Sequence, residues 1–147
     1  LEEPWALALD REERLIIVDR AGQRVVRVES DGRLLSLAGS GLMGYAGDGG
    51  PATEARLSFP SSVTVDGLGR VYIADALNHA VRVVDLDGRI WTLAGTGSPG
   101  AGDDGPAAGS PLNLPLSLAW DGGSGIHVAD YGNNRVRWIG PVDSTPR

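Results

Sequence analysis

Apolar residues along this chain gather in short runs separated by Gly, Asp and Asn, and the runs recur. The first unit reads Trp5 to Asp10, Leu15 to Asp19, Arg24 to Glu29 and Leu34 to Ala38. The second reads Val63 to Asp66, Val71 to Asp75, Ala80 to Asp85 and Ile90 to Ala94. Runs this short, rich in Val, Ile, Leu and Trp and closed by turn residues, predict β-strands. Asp31-Gly32 and Asp87-Gly88 separate the third and fourth runs. Asp-Gly favours the positive φ of a tight hairpin, so consecutive strands are predicted to pair antiparallel. The first two runs are apolar on both faces, as in Trp5-Ala6-Leu7-Ala8-Leu9 and Leu15-Ile16-Ile17-Val18. Such strands belong in a sheet covered on both sides. The third runs carry Arg27, Arg82 and Arg137, which places them nearer solvent in this reading.

The units repeat at a fixed period. Pro4, Pro60 and Pro115 lie 56 and 55 residues apart, as do Asp10, Asp66 and Asp121, and Asp19, Asp75 and Asp130. A four-stranded sheet repeated with both faces covered is a propeller blade. The fold predicted is all-β: a β-propeller arc of roughly three four-stranded antiparallel blades. Blade one spans 4–40, blade two 60–96 and blade three 115–139, with inter-blade loops at 39–60 and 95–115. The third blade is incomplete, because no fourth run follows Ile139, and the polar, Pro-broken stretch 141–147 is expected to be a disordered tail.

The second strands and their turns carry a family likeness. They read Ile17-Val18-Asp19-Arg20-Ala21-Gly22-Gln23-Arg24-Val25, Ile73-Ala74-Asp75-Ala76-Leu77-Asn78-His79-Ala80-Val81, and Val128-Ala129-Asp130-Tyr131-Gly132-Asn133-Asn134-Arg135-Val136. These resemble the NHL repeat, with its ADxxNHRVRV stretch. The first copy departs at Gly22-Gln23. The loop Gly47-Asp48-Gly49-Gly50-Pro51-Ala52 is similar to a GDGGPA loop of bacterial NHL proteins. The resemblance implies a ring, usually of six blades, so this arc is expected to be completed by further blades. They would come from a second copy or from a longer chain, the latter favoured because the chain opens directly on a strand without Met.

Composition narrows the function classes. Glycine, at 22 of 147 residues, is about twice its usual share and suits many tight turns. Without cysteine there are no disulfides and no thiolate metal sites, and the compartment stays open. No apolar run is long enough to span a membrane. A net charge of −6 disfavours a nucleic-acid surface.

Several residues are candidates for chemistry. In the inter-blade loops, Tyr45, Asp48, Arg56, Asp103 and Asp104 are candidate ligand contacts, and the three carboxylates offer oxygens to a cation. The structural alternative is a packed connection, with Pro51 opening a helical turn over Ala52 to Leu57 and Asp48 satisfying nearby backbone donors. Asp19, Asp75 and Asp130 end equivalent strands and are expected to open Asx-turns. His79 is expected in turn hydrogen bonds and His127 in an interior or channel position. Asp75, His127 and Asp130 are the candidate ligands for a divalent cation, the one cofactor considered. Trp91, Trp120 and Trp138 are read as blade packing. No Gly-x-Ser-x-Gly and no Cys nucleophile is present. The favoured reading is therefore a non-catalytic binding or scaffold module for a protein, peptide or glycan partner. The alternative implied by the resemblance is a lyase or lactone hydrolase with a metal in the channel.

Overall fold

The computed structural model describes residues 1–102 and 109–142. It contains three antiparallel sheets laid side by side. Blade one is β1 (Pro4–Leu9), β2 (Leu15–Asp19), β3 (Arg24–Val28) and β4 (Leu34–Ala38), in that spatial order. Blade two is β5 (Pro60–Val65), β6 (Val71–Asp75), β7 (Ala80–Val84) and β8 (Ile90–Gly95). Blade three is β9 (Pro115–Trp120), β10 (Ile126–Asp130) and β11 (Arg135–Ile139). The predicted strands are present, three of them with the predicted ends and the others shifted by at most three residues.

Each turn is built by its own residues. Asp66 Oδ1 accepts the N–H groups of Leu68, Gly69 and Arg70 at 2.9, 3.0 and 3.0 Å, and Asp66 Oδ2 accepts Arg70 Nε and the Tyr72 hydroxyl. That is the Asx-turn chemistry expected of aspartate. In the two Asp-Gly hairpins only the glycine, Gly32 at φ 83° or Gly88 at φ 77°, takes the left-handed conformation, and the Asp does not. Gly39 and Gly95 have a stricter requirement. Each has positive φ, and a Cβ there would collide with the carbonyl oxygen of Gln23 or His79, so the strand leaves the blade only through glycine.

The core lies between blades. One cluster joins Ile16, Val18, Val25 and Ala38 of blade one to Val63, Val71 and Ile73 of blade two, with Ala6 and Ala8 packed against it. A second joins Tyr72, Ala74, Val81 and Val83 of blade two to Leu118, Ile126 and Val128 of blade three. Burying an apolar side chain of this size contributes about 1.5–3 kcal/mol, so junctions, not isolated blades, hold the arc together.

The expectation that β1 is covered on both faces fails in this chain. Ala6 and Ala8 face blade two, but Trp5, Leu7 and Leu9 are 53%, 64% and 59% exposed. Leu7 and Leu9 point away from blade two, while Trp5 stacks on the Arg20 guanidinium at 4.0 Å, which also lies 5.6 Å from the Phe59 ring. In the expected tail, Val142 packs against the second core and its N–H donates to the Ser124 carbonyl. The remainder, 143–147, lies outside the described residues.

Candidate functional site

The turn after each second strand does the structural work of joining blades. Asp75 Oδ1 accepts the Ser58 N–H at 2.7 Å, and Asp130 Oδ1 accepts the Asn113 N–H at 2.7 Å. Asp19 Oδ1 takes the N–H groups of Glu2 and Glu3. These carboxylates therefore clamp the segment leading into their own blade, 16 or 17 residues upstream, and do not open Asx-turns. All three are fully buried, so they form no open carboxylate rim. The next turn position reaches across to the following blade. Gln23 Oε1 accepts the Phe59 N–H at 2.7 Å, and His79 Nδ1 accepts the Leu114 N–H at 3.1 Å. Gln23, His79 and Asn134 all adopt left-handed φ, which aims the side chain out of the turn. Gln23 thus does what His79 does, and the departure in the first copy keeps the function. Burial holds the His79 imidazole below its ordinary pKa, consistent with a neutral Nδ1 acceptor.

The polar centre of blade two is Arg82. It was expected near solvent, but it is fully buried. The loop 39–60 folds over β7 and covers it. Nη1 donates to Asp75 Oδ2 at 3.1 Å and to the Arg56 carbonyl at 3.4 Å. Nη2 donates to Asp48 Oδ1 at 2.8 Å and to the Ala46 carbonyl at 3.2 Å. The Tyr45 ring lies 5.1 Å from the guanidinium, and the Tyr45 hydroxyl meets Thr92 Oγ1 at 3.0 Å. Asn78 Nδ2 bridges Asp75 Oδ2 and the Gly44 carbonyl. Burial pushes the Asp75 carboxyl above its usual range despite the hydrogen bonds from Asn78 and Ser58 and the charge of Arg82.

The loop candidates therefore meet, around a residue the sequence reading had placed elsewhere. Tyr45, Ala46, Gly47, Asp48 and Arg82 line an open cavity of about 190 Å³. Arg56 contributes its carbonyl to Arg82, while its own side chain is exposed. Asp48 satisfies Arg82 and not backbone donors. Pro51 caps a single 3₁₀ turn, Ala52–Glu54, in place of the longer helical turn expected. Arg82 recurs as Arg137 in blade three, while blade one has Val26 at that position; the recurrence was the sequence signal, but it carried no information on burial.

The metal candidates do not converge. Among the described residues, no three His, Asp or Glu side chains form a group that could hold a metal ion. His127 is exposed on β10, against the interior or channel position expected, because none of the described residues covers the face that carries it. Asp103 and Asp104 lie outside the described residues.

The same loop bears apolar residues on its outer side. Leu42, Met43, Tyr45 and Leu77 are 57%, 53%, 41% and 48% exposed. Met43 bridges Leu57, Leu77 N–H donates to the Ser58 carbonyl, and Gly44 is held by Asn78. Loop and turn thus form one surface.

Residues 41–101 match the family model of the teneurin NHL domain. The chain is 31% identical over 138 residues to NHL repeat-containing protein 2 of Gallus gallus, covering 92% of this chain and 18% of that protein. The chain belongs to the NHL-repeat family. This NHL arc is also similar to the SUPPRESSOR OF QUENCHING 1 protein of Arabidopsis thaliana, 33% identical over 99 residues, covering 67% of this chain and 9% of that one. A solved Bacteroides thetaiotaomicron protein superimposes with a TM-score of 0.80 at 27% identity, over 90% of this chain and 34% of that chain. The NHL arc thus spans less than a fifth of these curated relatives and about a third of the solved chain. The NHL propeller fold supports a binding or scaffold role in general terms. No helix among the described residues is long and apolar enough to cross a membrane.

Proposed function

We propose that this NHL arc is a non-catalytic binding module that presents its first inter-blade loop to a protein or peptide partner bearing apolar side chains. The observation that carries this reading is the pairing of an exposed apolar surface with a rigid support. Leu42, Met43, Tyr45 and Leu77 face solvent together, and single exposed apolar residues are ordinary where a cluster is not. Beneath them, the Asp75–Arg82–Asp48 chain and Asn78 hold the loop in one conformation. A preorganised loop loses little entropy on binding. The carboxylates that could serve chemistry at this site are already spent on Arg82, Asn78 and backbone N–H groups.

The test is selection of a displayed peptide library on the intact chain, counter-screened on a Met43→Asp/Leu77→Asp variant. Peptides enriched on the parent and lost on the variant are expected. In parallel, thermal unfolding is followed with zinc, magnesium or calcium added. A metal-dependent rise of several degrees would favour the metal-dependent lyase or lactone hydrolase reading, and enrichment indifferent to both substitutions would sink the loop as the docking surface.

A further inference from the structure

The half-buried arginines of this chain donate to carboxylates or carbonyls, as Arg24 does to Asp19 at 2.9 Å, with one exception. The Arg20 side chain donates to none of the described residues, and its Nε is sealed from water without a partner. Two rings hold it instead. The guanidinium lies 4.0 Å from the Trp5 ring and 5.6 Å from the Phe59 ring. Stacking occupies the flat face of a guanidinium and leaves its Nη edge to donate, and that edge is the fork that takes a carboxylate with two hydrogen bonds. No carboxylate of the described residues meets it. Asp19 is taken by Arg24 and by the N–H groups of Glu2 and Glu3, and neither glutamate side chain pairs with Arg20.

The stack belongs to the internal junction between blades one and two. At the same repeat position Ala76, with blade three beside it, is 3% exposed. Tyr131, with no blade after it among the described residues, is 63% exposed, although residues 109–114 lead into its blade. The following blade therefore covers this position, and for Arg20 that blade is in place and supplies Phe59. The stack also borders the loop surface. Gln23, in the turn of Arg20, accepts the Phe59 N–H, and the neighbouring Ser58 carbonyl accepts the Leu77 N–H. A Cβ on Gly41 of the loop would stand 3.8 Å from the Gly22 carbonyl oxygen, so loop and turn are neighbours.

We infer that the peptide taken up by this surface carries an aspartate or glutamate beside its apolar side chains, and that the Arg20 guanidinium receives that carboxylate. This rests on the loop reading above and adds the charge of the partner to it. A guanidinium already held by two rings loses little freedom when it binds. The net charge of −6 opposes acidic peptides in general. The acid is therefore a single residue at a fixed spacing from the apolar ones, not an acidic composition.

Randomised peptides displayed on phage and selected on the intact chain test this. Enriched peptides should share one acidic residue at a constant distance from their apolar residues. In one such peptide, synthesised with capped ends, changing that acid to its amide should weaken binding about tenfold, as loss of a charge-assisted pair does. Arg20→Gln should weaken the acidic peptide by a similar factor, and on that variant acid and amide peptides should bind alike. A merely structural role for Arg20 would not produce that equality. The amide change probes the pair on the unaltered chain, whatever Arg20→Gln does to folding. Enriched peptides without a shared acid, or an amide change that costs nothing on the parent or the same on both proteins, overturn the inference and leave the loop as the docking surface. Enrichment that survives Met43→Asp/Leu77→Asp, or no enrichment on the parent, removes the loop reading and this inference with it.

Discussion

Replacing Arg82 with Met is the sharpest probe of this structure. Asp75 and Arg82 are both fully buried, 3.1 Å apart. Met fills the stem of the arginine but leaves Asp75 charged with only Ser58 and Asn78 as donors. Breaking a buried pair from one side costs about 3–5 kcal/mol, because a charge is left uncompensated. The Asp48 contact adds about 0.2–1 kcal/mol at most, since Asp48 is 45% exposed. The long bonds to the Ala46 and Arg56 carbonyls add less than about 1 kcal/mol each. Against these, Arg82 Nε is buried without a partner, and its removal returns about 1 kcal/mol. The net expected loss stays at about 3–5 kcal/mol, read by urea unfolding at neutral pH. Arg27→Met is the internal control. It is an ion-paired arginine on the matching strand of blade one, one residue beyond the counterpart of Arg82, but its partners Glu29 and Asp10 are partly solvated, so about 1 kcal/mol or less is expected. The double variant Asp75→Asn/Arg82→Met should cost clearly less than the two single changes added together. The deficit of Arg82→Met should also shrink in acid. Without Arg82 the folded pKa of Asp75 lies still further above its unfolded value, so the variant regains stability as pH falls through that folded pKa. Equal losses at positions 27 and 82, or strict additivity in the double variant, would refute a buried, coupled pair.

Two further outcomes follow from the blade clamps. His79 has a folded pKa below its unfolded value, so the stability it lends is fully present above about pH 6.5 and is lost as pH falls through the folded value. His79→Asn, with the residue found at the third copy, should keep the bond to Leu114 N–H and remove that slope between about pH 7.5 and 5.5, measured as the thermal midpoint. Asp66 is the opposite kind of acid from Asp75. Burial raises its pKa, but Arg70, the turn N–H groups and Tyr72 outweigh burial and hold it low. Its contribution is present above about pH 4 and is lost as pH falls through the folded value. Asp66→Asn should cost about 1.5–3 kcal/mol at neutral pH by denaturant titration and flatten the acid limb of the stability profile.

The sequence alone determined the period, the strands, the hairpins and the family likeness. These are local matters: alternation of apolar runs with Gly and Asp is dictated by backbone geometry within a few residues. It also located the residues that matter, since Asp75, Asp48, Tyr45 and the 23/79/134 position were all visible as repeats or insertions. Tertiary structure decided what each of them does. Arg82 and Arg137 are one position in the repeat, held by Val26 in the first copy, yet Arg82 is fully buried and Arg137 is not, because the loop 39–60 folds over Arg82 and brings Asp48 and two carbonyls to meet it. Leu7, Val63 and Leu118 are likewise one position, and only Leu7 faces solvent. His127 stands on the face of blade three that no described residue covers. A repeat fixes the chemistry of a position, while burial depends on the neighbour, and the neighbour changes from the first blade to the last.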